Sequence, residues 1–149
     1  TYCVEAVNRF ETCIINTAAE ALDYIARVDS PNIGVLLDTY HMNIEETSFA
    51  KAIEAVGPER LKSFHTGENN RTAPGRGHIN WDEIFSSLAK IGYRGPIVSE
   101  PFVMQGGEVG RDIHVFRDLV ENPCEAVIDA EAAYLLNFER NMLKKYYAD

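Results

Sequence analysis

Two kinds of apolar pattern alternate along the chain. Short, nearly continuous runs end on a polar side chain, and longer stretches place apolar residues every three or four positions. The first kind predicts strands buried on both faces, the second amphipathic helices. Thr1–Val7 is rich in strand formers and carries Glu5; a polar turn, Asn8–Glu11, follows. Thr17, with Glu20 three positions on, forms a capping box ahead of Ala21, Leu22, Ile25 and Val28 at helical spacing. Asp29-Ser30-Pro31-Asn32 stops that helix. Ile33–Asp38 is a second predicted strand, Thr39–Asn43 a loop, and Ile44–Val56 a second helix ended by Gly57-Pro58. Leu61–Phe64 is a third strand running into His65. Asn80 caps a helix whose buried stripe is Trp81, Ile84, Phe85, Leu88 and Ile91, closed by Gly92. Pro96–Glu100 is a fourth strand, stopped by Pro101. Asp112–Val120 is predicted as a helix with Ile113, Phe116 and Leu119 inward. Glu125–Tyr147 is a long final helix, with Val127, Ala130, Tyr134, Phe138 and Met142 on one stripe expected to serve as core or subunit contact.

Strands alternating with helices imply right-handed crossovers and a parallel α/β sheet. Four such units make either an open doubly wound sheet or half of an eight-stranded barrel. No Gly-x-Gly-x-x-Gly follows the first strand, so the dinucleotide-binding version loses its main support.

With 149 residues the chain is expected to be a single domain, 1–149. A net charge of -9 argues against a nucleic-acid partner, whose phosphates require Lys and Arg. No apolar run approaches the ~20 residues that span a bilayer, and the N-terminus has no signal-peptide pattern. Cys3, Cys13 and Cys124 are odd in number and lack CxxC spacing. They are expected to be small packing residues in a reducing cytoplasm.

The candidate chemistry lies at the strand ends. Glu5, Asp38, His65 and Glu100 each stand at or near the C-terminal end of a predicted strand, about 30 residues apart, one βα unit each. Parallel barrel strands converge on one face, where active sites lie. Three carboxylates and an imidazole make a hard, oxygen-rich site that favours Mn²⁺, Mg²⁺ or Co²⁺ over a structural zinc. Buried carboxylates without partners are costly, and a shared cation would hold all three. Glu11, His41 and Arg71 lie a few positions beyond and are candidates for the same mouth, whereas Arg76 and His78 are expected to be loop architecture. The long Gly-, Asn- and Arg-rich segment from His65 to His78 is expected to fold over a polar ligand.

Four stretches carry a resemblance: Val7-Asn8-Arg9-Phe10-Glu11, Leu37 to Glu46, His65-Thr66-Gly67-Glu68-Asn69-Asn70-Arg71, and Ser99-Glu100-Pro101-Phe102. They resemble the ketose 3-epimerases, the D-tagatose and D-allulose (psicose) 3-epimerase family of xylose-isomerase-like TIM barrels. The resemblance runs from about Glu5 to Leu119 and covers what corresponds to barrel strands five to eight. It implies that Glu5, Asp38, His65 and Glu100 hold a divalent metal, usually manganese, and that Glu5 and Glu100 are the acid/base pair. It implies that Glu11, His41 and Arg71 hold the hydroxyls and carbonyl of a ketose.

The chemistry agrees: the C3 proton of a ketose lies beside the C2 carbonyl, and epimerisation needs one carboxylate on each side of C3. Family members have about twice this length, so the expectation is half a barrel that pairs with its other half or with a copy of itself. The same fold also hosts aldose–ketose isomerases, inositol-pathway dehydratases and endonucleases that use zinc clusters. For the endonucleases, four histidines and the acidic balance are a poor match. A non-catalytic sugar-binding or assembly module is the reading from another class.

Overall fold

A computed structural model describes residues 1–147; the last two positions of the 1–149 span lie outside the described residues. Its elements are β1 (Tyr2–Glu5), α1 (Ala18–Val28), β2 (Ile33–Asp38), α2 (Thr39–Glu45) and α3 (Phe49–Arg60), then β3 (Leu61–Thr66), α4 (Trp81–Lys90), β4 (Ile97–Ser99), α5 (Gly107–Asp112) and α6 (Glu125–Tyr146). The four strands pair in parallel in the order β1-β2-β3-β4. A doubly wound sheet reverses its strand order at a switch point. Four units in strict succession are instead the arrangement of half an eight-stranded barrel. Among the described residues, the outer edges of β1 and β4 carry no further strand.

Strand alternation separates two faces. Val35, Leu37 and Phe64 turn to one side and are fully buried beneath Ile53 and Val56 of α3 and Ile84, Phe85 and Leu88 of α4. Burial of each such side chain stabilises by about 1.5–3 kcal/mol. Leu36, Ser63 and Val98 occupy alternate positions and are less covered, Val98 being 43% exposed. Glu5, Asp38 and His65 share that second face at its C-terminal end. A register shift between Val35 and Leu36 leaves Lys62 as an extra residue in β3. Gly34 lies against this bulge: a Cβ there would stand 2.8 Å from the Arg60 carbonyl oxygen and collide with the Lys62 side chain.

The capping box at Thr17 and Glu20 forms as predicted, and Asn80 caps α4. Four local expectations are corrected. Thr39–Asn43 is not a loop: the Asp38 carboxylate accepts from the Tyr40 N–H at 2.7 Å and starts α2 immediately after β2. The predicted Ile44–Val56 helix is therefore divided, because Ser48 caps a new helix, α3, which kinks at Gly57 (φ 71°). The predicted Asp112–Val120 helix does not form: past Asp112 the chain is non-helical through residue 120. α5 begins earlier, at Gly107, and ends where Ile113 and a left-handed His114 (φ 65°) turn the chain, leaving Phe116 76% exposed. The three cysteines are free and exposed rather than packed.

The final helix matches its predicted span closely. Phe138 packs edge-on to Trp81 at 5.6 Å between ring centroids, and Met142 and Leu143 join the core margin. Among the described residues, no helix is long and apolar enough to cross a membrane.

Candidate metal and catalytic site

The strand ends gather their four polar side chains. One ligand atom each from Glu5, Asp38, His65 and Glu100 lies within 4.8 Å of the other three. Ions with bonds of about 2.1 Å hold opposite ligands some 4.2 Å apart, so small side-chain movements would close the cluster around a cation. Asp38 divides its two oxygens. Oδ1 caps α2, and Oδ2 faces the cluster, 3.1 Å from Arg71 Nη1 and 4.0 Å from His65 Nδ1. His65 Nδ1 is buried and has no hydrogen-bond partner; Glu100 Oε2 is its neighbour at 3.6 Å. A buried, unpartnered imidazole nitrogen aimed at three carboxylates fits a divalent cation.

The charges of the cluster shift one another. Burial, with the charges of Asp38 and Glu100 adding to it, pushes the Glu5 carboxyl up to about 7. Pairing with Glu100 raises the His65 imidazole against the opposing effect of burial, and the same pairing holds Glu100 below the usual carboxylate range. In metal-free protein Glu5 thus binds a proton more tightly folded than unfolded, and so does His65. Their contribution to stability is complete below the unfolded values, 4.5 and 6.5, and is lost as pH rises through the folded ones. With chelator present, the Glu5 shift is expected to lower stability by roughly 2 kcal/mol between pH 5 and pH 8, after discounting for solvent at this partly open site. Adding Mn²⁺ should reverse the trend, since the ion competes with those protons. Urea midpoints at the two pH values, with and without Mn²⁺, check this; an unchanged pH slope in Mn²⁺ would separate the cluster from the metal.

The other candidates also converge. Arg71 takes a left-handed backbone (φ 63°), and its guanidinium lies 4.2 Å from the Tyr40 ring centroid and 5.1 Å from that of Phe102. It faces both Asp38 and Glu100. His41 Nε2 stands 3.7 Å from Glu5 Oε1, and Glu11 Oε1 lies 4.0 Å from His41 Nδ1. Burial, the largest influence on His41, lowers its pKa. All seven predicted site residues therefore meet at one end of the sheet.

The long loop divides its polar groups between the site and its own framework: Asn69, Asn70 and Arg71 line a cavity with Tyr40 and Phe102. Glu68 is fully buried and accepts from Gly75 N within the loop and from Ile79 N and Trp81 Nε1 just beyond it. Arg71 is the loop cation that turns to the cluster. Arg76 does serve architecture: it pairs with Glu131 of α6 at 2.7 Å and lies over Tyr134. His78 is exposed.

Five structural partners of the site escape sequence reasoning. Tyr40 and Phe102 sandwich Arg71, and Asn8 joins Glu11 to His41. Glu68 organises the loop. Glu139 of α6 accepts from the hydroxyls of Thr66 and Ser99, each next to a cluster residue, both at 2.6 Å. Thr66 and Ser99 offer the one sequence signal, as paired hydroxyls beside His65 and Glu100.

Comparison with known proteins agrees with this geometry. D-psicose 3-epimerase of Ruminiclostridium cellulolyticum is 50% identical over 143 residues, covering 96% of this chain and 48% of that protein. A crystal structure of D-psicose 3-epimerase in the presence of D-fructose superposes with a TM-score of 0.90 at 48% identity, over 95% of this chain and 48% of that one. The Clostridium cellulolyticum H10 enzyme with D-tagatose gives 0.91 at 50% identity, with the same coverage. The chain thus spans about half the length of the relatives it matches. A family model described as xylose isomerase-like TIM barrel matches residues 1–132, and with the successive parallel βα units this places the chain in the xylose isomerase-like TIM barrel family.

Proposed function

We propose that this chain is the C-terminal, metal-holding half of a sugar epimerase that inverts C3 of a free ketose. The carrying observation is that Glu5 and Glu100 enter one cluster from opposite edges of the sheet, β1 and the end of β4. A divalent ion held by Glu5, Asp38, His65 and Glu100, with Mn²⁺ the first choice and Mg²⁺ or Co²⁺ alternatives, supplies positive charge against the negative charge that develops as C3 loses its proton.

The chain's own groups do the rest. One of the two glutamates takes the C3 proton as the C3–H electron pair moves toward the C2 carbonyl. The other returns a proton to the opposite face of C3, so the sugar is neither oxidised nor reduced. Arg71, His41 and Glu11 hold the ketose oxygens: Arg71 and His41 offer donors, Glu11 an acceptor. Arg71 also partly neutralises the carboxylates around the point of proton transfer. The relatives' names support the substrate class, and the open outer edges of β1 and β4 support completion by the other half-barrel or by a second copy.

The test is deuterium wash-in at C3 of fructose in heavy water, with the barrel completed by the first four βα units of the Ruminiclostridium relative. Exchange is expected with Mn²⁺ and is expected to stop on chelation. Exchange that ignores the chelator would overturn the role of the cluster. Label at C1 with an aldose product would point to isomerisation instead.

A further inference from the structure

We propose that Asn8 is a positioning residue that sets Glu11 and His41 as one substrate-holding unit and fixes which imidazole nitrogen carries the proton. The proposal deepens the reading above and rests on it for the role of those two residues. Asn8 lies in the turn after β1 and is 1% exposed. Its amide has one possible orientation. The Phe10 N–H donates to Oδ1 at 2.9 Å, so Nδ2 is the group at the other end. Nδ2 has two hydrogens and two acceptors: Glu11 Oε1 at 2.9 Å and His41 Nδ1 at 2.8 Å. The Asn8 backbone N–H also donates to His41 Nδ1, at 3.2 Å.

Two donors aimed at one ring nitrogen require it to be an acceptor. Arg71 Nη2, also a donor, stands 3.4 Å from Nε2, farther than either donor stands from Nδ1, so the proton of the neutral ring sits on Nε2, 3.7 Å from Glu5 Oε1. His41 then offers a donor into the site, while Glu11 offers its second oxygen as an acceptor. These groups come from different elements, Glu11 from the turn and His41 from α2, so nothing in the local chain holds them together. Asn8 does so with one side chain. A second latch supports the arrangement: Arg9, the next residue, pairs with Glu45 at the end of α2 through Nε and Nη2, one edge of its guanidinium, and through its backbone N–H.

The test has two arms. In the first, long-range ¹H–¹⁵N spectra of the wild-type chain report the His41 tautomer without any need for turnover. The expected result is a protonated Nε2 and an unprotonated Nδ1; the reverse tautomer overturns the proposal. In the second, Asn8→Asp and Asn8→Ala are placed in the completed barrel. Asp keeps the oxygen for Phe10 but sets an acceptor against Glu11 and against Nδ1.

Both variants are expected to lower kcat/KM by about 10- to 100-fold, with much of the loss in KM. Mn²⁺ affinity, read from titration of the ion's magnetic resonance signal, should change far less, because the side-chain hydrogen bonds of Asn8 run to Phe10, Glu11 and His41 rather than to a cluster residue. Loss of Mn²⁺ affinity in step with kcat/KM would mean a general structural role and overturn the proposal, as would variants with wild-type kcat/KM. If the wild type turns over no ketose, the epimerase reading fails while the tautomer arm still decides the placement of His41. That arm also decides it if a variant does not fold.

Discussion

In the completed barrel of the proposed epimerase, Glu100→Gln is expected to reduce interconversion of the C3 epimers by about 10³-fold at saturating Mn²⁺. The substitution keeps the size of the side chain and an oxygen that can face a cation, but it removes the group that accepts a proton. Glu100 is suited to that task. Its pairing with His65, and then the nearby Arg71, hold it ionised at neutral pH, while Glu5 is pushed up to about 7. That split belongs to the metal-free site; a bound cation draws both carboxyls toward the ionised form, so the expectation rests on their entering the cluster from β1 and from the end of β4.

A two-base site makes a sharper forecast than loss of activity. Glu5→Gln and Glu100→Gln should each spare some C3 exchange, but for opposite epimers, because each leaves one face of C3 served. Neither should support net conversion. The measurement is wash-in for each epimer separately, with bound Mn²⁺ followed in parallel so that loss of the ion is not mistaken for loss of the base. Conversion by Glu100→Gln within tenfold of wild type would show that Glu100 takes no proton.

The framework of the site is legible in the sequence because strand ends are forced. A continuous run such as Ile33–Leu37 is buried under helices, so the polar residue that ends it must lie at the rim, and parallel strands put all their C-terminal ends on one rim. Asp38 illustrates the limit of that reasoning. Capping a helix and facing a cluster look like rival roles for one aspartate, yet its two oxygens perform both, and the cap is what turns Thr39–Glu45 into a helix. Ile113, Phe116 and Leu119 mislead for another reason. Their spacing is helical, but the chain is committed to a turn by backbone bonds from Val115 N to Gly110 O and from Leu119 N to Val103 O. Glu68 and Glu139 are invisible because a lone glutamate in a polar loop or on a helix has the pattern of solvated surface. Only the fold reveals that their acceptors are enclosed by donors.

Glu68 supports the largest stability forecast. Its carboxylate is fully buried, with Gly75 N at 2.8 Å, Trp81 Nε1 at 2.7 Å and Ile79 N at 3.3 Å all donating to it. Glu68→Ala removes one acceptor group and strands those donors in a site built to exclude water. Each stranded donor costs about 1–3 kcal/mol, less than additively where water enters, so a loss of about 4 kcal/mol is expected. Glu68→Gln should cost roughly half as much, since its one remaining oxygen still serves Trp81 and Gly75. The damage should also reach the site. Glu68 O accepts the Arg71 N–H at 2.9 Å, and Glu68 N donates to Thr72 O at 3.1 Å, so this turn holds Arg71 in its left-handed conformation between Tyr40 and Phe102. Trp81 is the chain's one tryptophan, and its indole N–H is among the stranded donors, so its fluorescence reports the loss directly. Urea unfolding followed at that signal should show an earlier midpoint and a changed native emission. A loss under about 1 kcal/mol with native emission intact would mean that the loop owes its shape to Arg76, Glu131 and Tyr134 at its other end rather than to Glu68.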